Sequence, residues 1–363
     1  LELARGLMAG KGFVSISAAY GGIEQRAFYP PLYPVLLAIY GTVIPLSQAT
    51  ICAFNFAIDC ATAWLISKLA KEIGVKPLGA VAIYLLWPSN VLLSPLPLKE
   101  GLASLLVVAA ALFAVQKSAP KLGIATGLLA LTQPALVPLP FILALLFRVP
   151  KFWMVAAASA LVMAPWWIRN FFVFGTFVPL TTGGGYGLYV GTFSEDGWWL
   201  VPPRQLLTGG ELQFSSASAS EAWNWITAHP AEYLWRCFAK LGRGVVNGWW
   251  PVDNLMRMRP VQAWVLALLP ISIGVTAILT TLSIFGAAVS RGVIGRLLLT
   301  CLLQIVLFNI WFEFSERHTY FIVPFLALAT AAGAQHVLQD LRKQKSDIGK
   351  GWRGKTGSPA RDI

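Results

Sequence analysis

The chain has 363 residues, 56% of them hydrophobic and 12% charged, about half the roughly 25% charged content of a soluble domain. No soluble core of this size hides so much apolar side chain, and the same numbers exclude disorder. With a mean hydropathy of +0.65 and unbroken apolar runs, it reads as an all-α polytopic membrane protein; a barrel would alternate over segments of about ten residues. The formal charge of +12 does not point to nucleic acid, because the basic residues sit between apolar runs and in the tail.

The chain opens on Leu1 within helix-like sequence and is read as missing its true N-terminus. The run 35–47 is bracketed by Pro34 and Pro45, and the ten residues between them cover only about 15 Å as helix. It should lie in the interface or dip in and return. Spans are expected at 50–67, 77–96, 101–116, 153–170, 262–289, 295–312 and 319–338, each close to the length a bilayer requires. The stretch 121–147, at about 40 Å, is too long for one span and too short for two. With Gln133-Pro134 inside it, a hairpin of two short helices is predicted.

Placing the C-terminal tail in the cytoplasm puts Lys68, Lys71, Lys76, Lys117, Lys121, Arg148, Lys151, Arg291 and Arg296 on the inside with it. Only Lys99 and Arg317 fall in short outside loops. That is the distribution expected of an inner-membrane protein. Residues 1–48 and 171–260 then share the extracytoplasmic face. The pairs Trp166-Trp167, Trp198-Trp199 and Trp249-Trp250 flank or lie in the second of these, as an aromatic belt does. The chain divides into an extracytoplasmic first loop with juxtamembrane helices (1–48), a transmembrane module (49–170), a Trp-rich outer segment (171–260), C-terminal spans (261–340) and a basic cytoplasmic tail (341–363). The tail is expected to be disordered near anionic lipid.

Within the outer segment, Leu234, Phe238, Leu241 and Val245 share one helical face, and Glu232, Arg236 and Lys240 another. This is either an amphipathic helix on the membrane or part of a small soluble subdomain. Asp59 stands mid-span with Asn55 one turn earlier. At about 2.5–3.5 kcal/mol for insertion, it must face protein or water. It serves either a hydrogen bond across helices or a proton or ion relay. Gly183–Gly187 lacks the Lys-Ser/Thr of a phosphate loop and reads as a flexible turn. Cys52, Cys60, Cys237 and Cys301 show no disulfide or metal spacing, nor do the three histidines.

The outer helix mouths gather charge: Arg26 in EQRAFYPPLYP, Lys99-Glu100 in SPLPLKEG, Arg169 in PWWIRN, and Glu316-Arg317-His318 in EFSERH. Arginine offers phosphate a planar fork and lysine a point charge. The plainer account is that such residues snorkel or pair with one another.

The segments LELARGLMAGKGF (1–13), YPPLYPVLLA (29–38), PWWIRNFFVFGTFVPLTTGGGYGLYVG (165–191), WITAHPAEYLWRCFAK (225–240) and ERHTYFIVPFL (316–326) carry a resemblance over almost the whole chain. It resembles the GT-C superfamily of integral-membrane glycosyltransferases, in particular prokaryotic relatives of dolichyl-phosphate-mannose–protein mannosyltransferase and of the lipid A aminoarabinose transferase. The resemblance implies a GT-C helical bundle with interfacial juxtamembrane helices. It implies inverting transfer, on the extracytoplasmic face of the cytoplasmic membrane, from a polyprenyl-phosphate sugar to a hydroxyl of a lipid, glycan or protein acceptor. The hydroxyl attacks the anomeric carbon and polyprenyl phosphate leaves. The family's general-base Asp would precede Leu1; Glu2 and Glu24 are the nearest carboxylates and neither matches its position. A basic residue often precedes the PP dipeptide in the family, whereas Tyr29 stands there, with Arg26 three residues earlier. Arg26, Lys99, Arg169 and Arg317 are the expected donor-phosphate ligands, with Glu100 and Glu316 orienting them or the sugar. The resemblance fixes no cofactor and is compatible with a divalent metal. The alternatives are a transporter or flippase of a polyprenyl-linked or amphipathic substrate, or a surface-glycan polymerase or ligase sharing the lipid donor.

Overall fold

The computed structural model describes residues 1–194, 200–207, 209–244, 263–290 and 292–355. Trp198-Trp199, Trp249-Trp250 and Val245 lie outside the described residues. The described chain is helical apart from one small antiparallel pair in the first loop, β1 (Ser15–Ile16) with β2 (Glu24–Gln25).

An N-terminal layer consists of α1 (Glu2–Met8), that pair and α2 (Leu32–Val43). The helix α2 begins ahead of Pro34, which occupies its first turn, where a missing N–H costs nothing. The bundle follows: α3 (Gln48–Glu72), α4 (Pro77–Leu85), α5 (Pro88–Leu93), α6 (Glu100–Val115), α7 (Ala119–Ala130), α8 (Pro138–Leu146) and α9 (Trp153–Phe174). A second outer layer holds α10 (Gly184–Phe193), α11 (Glu211–Ala228) and α12 (Pro230–Gly244). The chain then continues through α13 (Ala263–Val289), α14 (Val293–Gln304) and α15 (Val323–Lys355). Among the described residues, four helical stretches are long and apolar enough to cross a membrane: Gln48–Glu72, Trp153–Phe174, Ala267–Val289 and Glu316–Lys345.

Two expected spans take a different form. The segment 77–96 is not one helix: Pro88 has no N–H to continue α4 and pushes Trp87 into extended backbone. The expected span 295–312 runs as α14 into a wider helical turn at Ile305–Asn309. The hairpin over 121–147 forms as α7 and α8. The tail also departs from expectation, since α15 continues through Lys355. Its good helix formers meet no glycine between Gly333 and Gly349.

The core lies on α6, which is apolar all round and therefore central. Val107, Val108, Ala110, Ala111 and Ala114 are fully buried, and α6 packs against α3, α7, α8 and the turn at 316–322. Beside it, α13 crosses α15 at near backbone contact. A Cβ on Gly286 would stand 1.9 Å from Ala329 O, and Ser283 Oγ donates to Leu326 O at 3.0 Å. Small residues let such helices approach, and the hydroxyl joins them. Gly286→Val should cost about 1–3 kcal/mol, read as a lower Tm in detergent. An unchanged Tm would mean that this crossing does not limit stability.

The helix α12 splits each of its two expected faces between solvent and interior. Leu234, Trp235 and Phe238 are exposed, while Tyr233, Cys237 and Lys240 are buried. Lys240 Nζ donates to Gly191 O at 2.9 Å and to Phe312 O at 3.0 Å, and burial lowers its pKa to about 8. Of the expected apolar face, Leu234 and Phe238 point outward while Leu241 packs half-buried beside Tyr233 and Phe314, so the helix is seated by one edge of that face.

Candidate functional site

One end of the bundle collects charge from two distant parts of the chain. Lys99 and Glu100 open α6, where the carboxylate also complements the helix N-terminus. The segment 313–320 enters α15 through a tight turn capped by Ser315, whose N–H donates to His318 Nδ1 at 3.1 Å. Glu313 N–H donates to Gly187 O of α10 at 2.8 Å. The Glu313 carboxylate pairs with the Arg317 guanidinium and lies 4.0 Å from His318 Nε2.

Arg317 is within electrostatic reach of Glu313 and Glu100. Lys99 feels Glu100, Arg317 and Glu313; its burial pushes the ammonium pKa down, and Glu100 opposes that shift. Glu100 and Glu316 are buried. The fold thus brings together four of the six expected residues, Lys99, Glu100, Glu316 and Arg317, and adds Glu313 and His318.

The loop residues Tyr20 and Tyr29 and Tyr186 of α10 overlie this cluster. Tyr20 is in electrostatic reach of Tyr29 and Tyr186, and the Tyr20 and Tyr186 rings meet edge to face at 5.3 Å. Burial raises all three phenol pKa values. Tyr29, standing where the resemblance led one to look for a cation, is in electrostatic reach of Arg317.

Arg26 and Arg169 belong to a second grouping, organised by Glu211. This buried carboxylate accepts from Arg26 N–H at 2.6 Å, from Ala27 N–H at 2.9 Å and from the Thr182 hydroxyl. Arg169 Nη1 donates to Arg26 O at 2.8 Å and to Asn170 Oδ1 at 2.9 Å, and Nη2 to Phe13 O at 3.3 Å. Its guanidinium lies over Trp166 at 5.0 Å. Trp166 and Trp167 in turn donate their indole N–H groups to Leu180 O at 2.8 Å and Pro179 O at 2.7 Å. Arg169 therefore spends its donor fork on joining the first loop to α9. The Arg26 side chain pairs at the surface with Glu24 at 3.1 Å, and Glu2 Oε1 accepts from Ile16 N–H at 3.1 Å.

Sequence reasoning missed Glu211 and Glu313. Glu211 offered only an acidic first turn after Gly209-Gly210, and two of its partners, Arg26 and Ala27, lie more than 180 residues away along the chain. Glu313 falls within the EFSERH motif, but nothing in the spacing marked it above Glu316. The glycine run is a correction: Gly184–Gly187 starts α10 rather than forming a flexible turn. Its glycines allow close packing, since a Cβ on Gly185 would lie 2.0 Å from Ser215 O of α11.

Asp59 fits the hydrogen-bond reading. It accepts from Tyr84 Oη at 3.1 Å and from Ser94 Oγ at 3.2 Å. Asn55 Nδ2, one turn away, donates to Ser94 O at 2.9 Å and Leu96 O at 2.7 Å. Breaking the 77–96 helix frees backbone carbonyls that lipid cannot satisfy, and the Asn55 amide donates to two of them. Asp59→Leu strands two hydroxyls and should cost about 1–3 kcal/mol, whereas Asp59→Asn keeps an acceptor and should cost less. Loss of activity in a normally stable Asp59→Asn protein would instead support the relay.

Among the described residues, no three His, Cys, Asp or Glu side chains form a group suited to a metal ion. Comparison with protein-family models, with curated proteins and with solved structures finds no match to this chain.

Proposed function

We propose that this protein is a membrane glycosyltransferase that takes its sugar from a polyprenyl-phosphate donor on the extracytoplasmic side of a prokaryotic cytoplasmic membrane. The observation that carries the reading is the meeting of Lys99 and Arg317 with Glu100, Glu313 and Glu316 at one end of an apolar bundle, beneath a layer rich in tyrosine. In this reading the two cations stabilise the negative charge that grows on the leaving phosphate, where a dry setting strengthens their effect. The carboxylates hold the cations in place, and the tyrosine hydroxyls of Tyr20 and Tyr29 face the sugar. Glu2 and Glu24 are engaged by Ile16 N–H and Arg26, so neither is assigned as general base. Arg26 and Arg169 frame the site rather than hold the phosphate.

The test is transfer by the protein expressed from its whole gene and reconstituted in liposomes. A radiolabelled sugar leaving polyprenyl phosphate for a lipid, glycan or protein hydroxyl supports the proposal. Passage of the labelled lipid across a sealed vesicle with no new glycosidic bond would replace it with a transporter or flippase.

A further inference from the structure

A cleft opens between α3, α5 and the start of α6. Three polar pairs line it, each spaced i,i+4: Asn55 and Asp59, Asn90 and Ser94, Glu100 and Ser104. That spacing places both members of a pair on one helix face. The amides and the serine hydroxyls here are already committed, and the Tyr320 ring also lines the cleft. The Asn55 amide serves two carbonyls, the Asn90 amide donates to Tyr84 O at 2.6 Å, the Ser94 hydroxyl serves Asp59, and the Ser104 hydroxyl faces Tyr320 O at 3.4 Å.

The acceptors are in excess. Asp59 receives two hydroxyls, but Glu100 is only 7% exposed and its Oε2 meets no donor. No lysine, arginine or histidine lines the cleft; Lys99 and Arg317 stand outside the lining, within electrostatic reach of Glu100.

A buried carboxylate oxygen without a partner is costly, and a cation or a donor must relieve it. Carboxylate, hydroxyl and amide oxygens suit a hard cation. Glu100 already has Lys99 and Arg317 within electrostatic reach, so a divalent ion would leave uncompensated positive charge inside the bundle. We propose that this cleft binds a small monovalent cation of the sodium class, with Glu100 as its charged ligand and the neutral oxygens of Asn90 and Ser104 beside it. Glu100 is shared with the proposed transferase site, but the cation assignment rests on the cleft's geometry and stands whether or not sugar is transferred.

The experiment is thermal unfolding of the full-length protein in detergent, followed by tryptophan fluorescence. NaCl replaces choline chloride at constant pH and ionic strength. A saturable rise of Tm with sodium is expected. Glu100→Gln should abolish it, and Ser104→Ala should raise the half-saturating sodium concentration roughly tenfold. A Tm indifferent to sodium would mean that the cleft holds water alone and would overturn the proposal. So would a sodium shift that survives Glu100→Gln, or one given by MgCl2 in place of sodium. If Glu100→Gln does not fold, Ser104→Ala decides: an unchanged half-saturating concentration sinks the site.

Discussion

Arg317→Ala is expected to lower sugar transfer by about 10²–10³-fold, the usual cost of removing one charge-stabilising donor from a transition state. Arg317 is the cation best placed for this role. It sits on the turn entering α15, its guanidinium pairs with Glu313, and Glu100 lies within electrostatic reach. The loss should fall mainly on kcat, because the interaction grows as charge moves onto the leaving phosphate. Arg317→Lys keeps the charge but not the fork and should fall between wild type and alanine. The alanine variant strands the Glu313 carboxylate, so Glu313→Gln serves as the control for lost packing. Comparable losses in Glu313→Gln and Arg317→Ala would assign the pair to structure. Normal transfer by Arg317→Ala would remove Arg317 from the donor site and weaken the transferase reading itself.

Glu211→Ala should produce the largest loss of stability, about 3–5 kcal/mol, as expected when a buried charged hub disappears. Two backbone N–H groups, of Arg26 and Ala27, and the Thr182 hydroxyl lose their acceptor at once. Buried unpaired donors of this kind are individually expensive. The damage should be local at first: limited proteolysis should cut the first loop and the segment before α11 while the bundle around α6 stays intact. Glu211→Gln retains one carbonyl oxygen and should lose less. A Glu211→Ala protein with wild-type Tm and wild-type protease resistance would show that the two outer layers are held by their aromatic contacts alone. Those contacts are substantial, with Tyr20, Phe28, Tyr186 and Phe214 packed in one cluster.

These two residues illustrate how differently a membrane protein and its site are written in a sequence. Arg317 was conspicuous in the sequence because it is a charge at the mouth of an apolar run. Glu211 was not, because an acidic residue at the start of a polar helix looks like any other. Asp59 was conspicuous for its cost in lipid, yet its partners were hidden, since Tyr84 and Ser94 reach it only because the chain breaks at Pro88. Arg169 was equally conspicuous, but its spacing could not tell that its fork would be spent on the carbonyls of Arg26 and Phe13.

The sequence by itself determined that the chain is helical and membrane-embedded, and it set where several helices start and stop. The bilayer acts on each residue nearly independently, and proline acts on its immediate neighbours, so both leave a local record. Only the tertiary structure decided which charges meet. Lys99 and Arg317 lie more than 200 residues apart in the chain, and the Gly187 carbonyl of α10 accepts from the N–H of Glu313, which is likewise remote from it in sequence. Their encounter follows from how the helices pack around α6, and no periodicity or composition encodes a contact between segments so far apart.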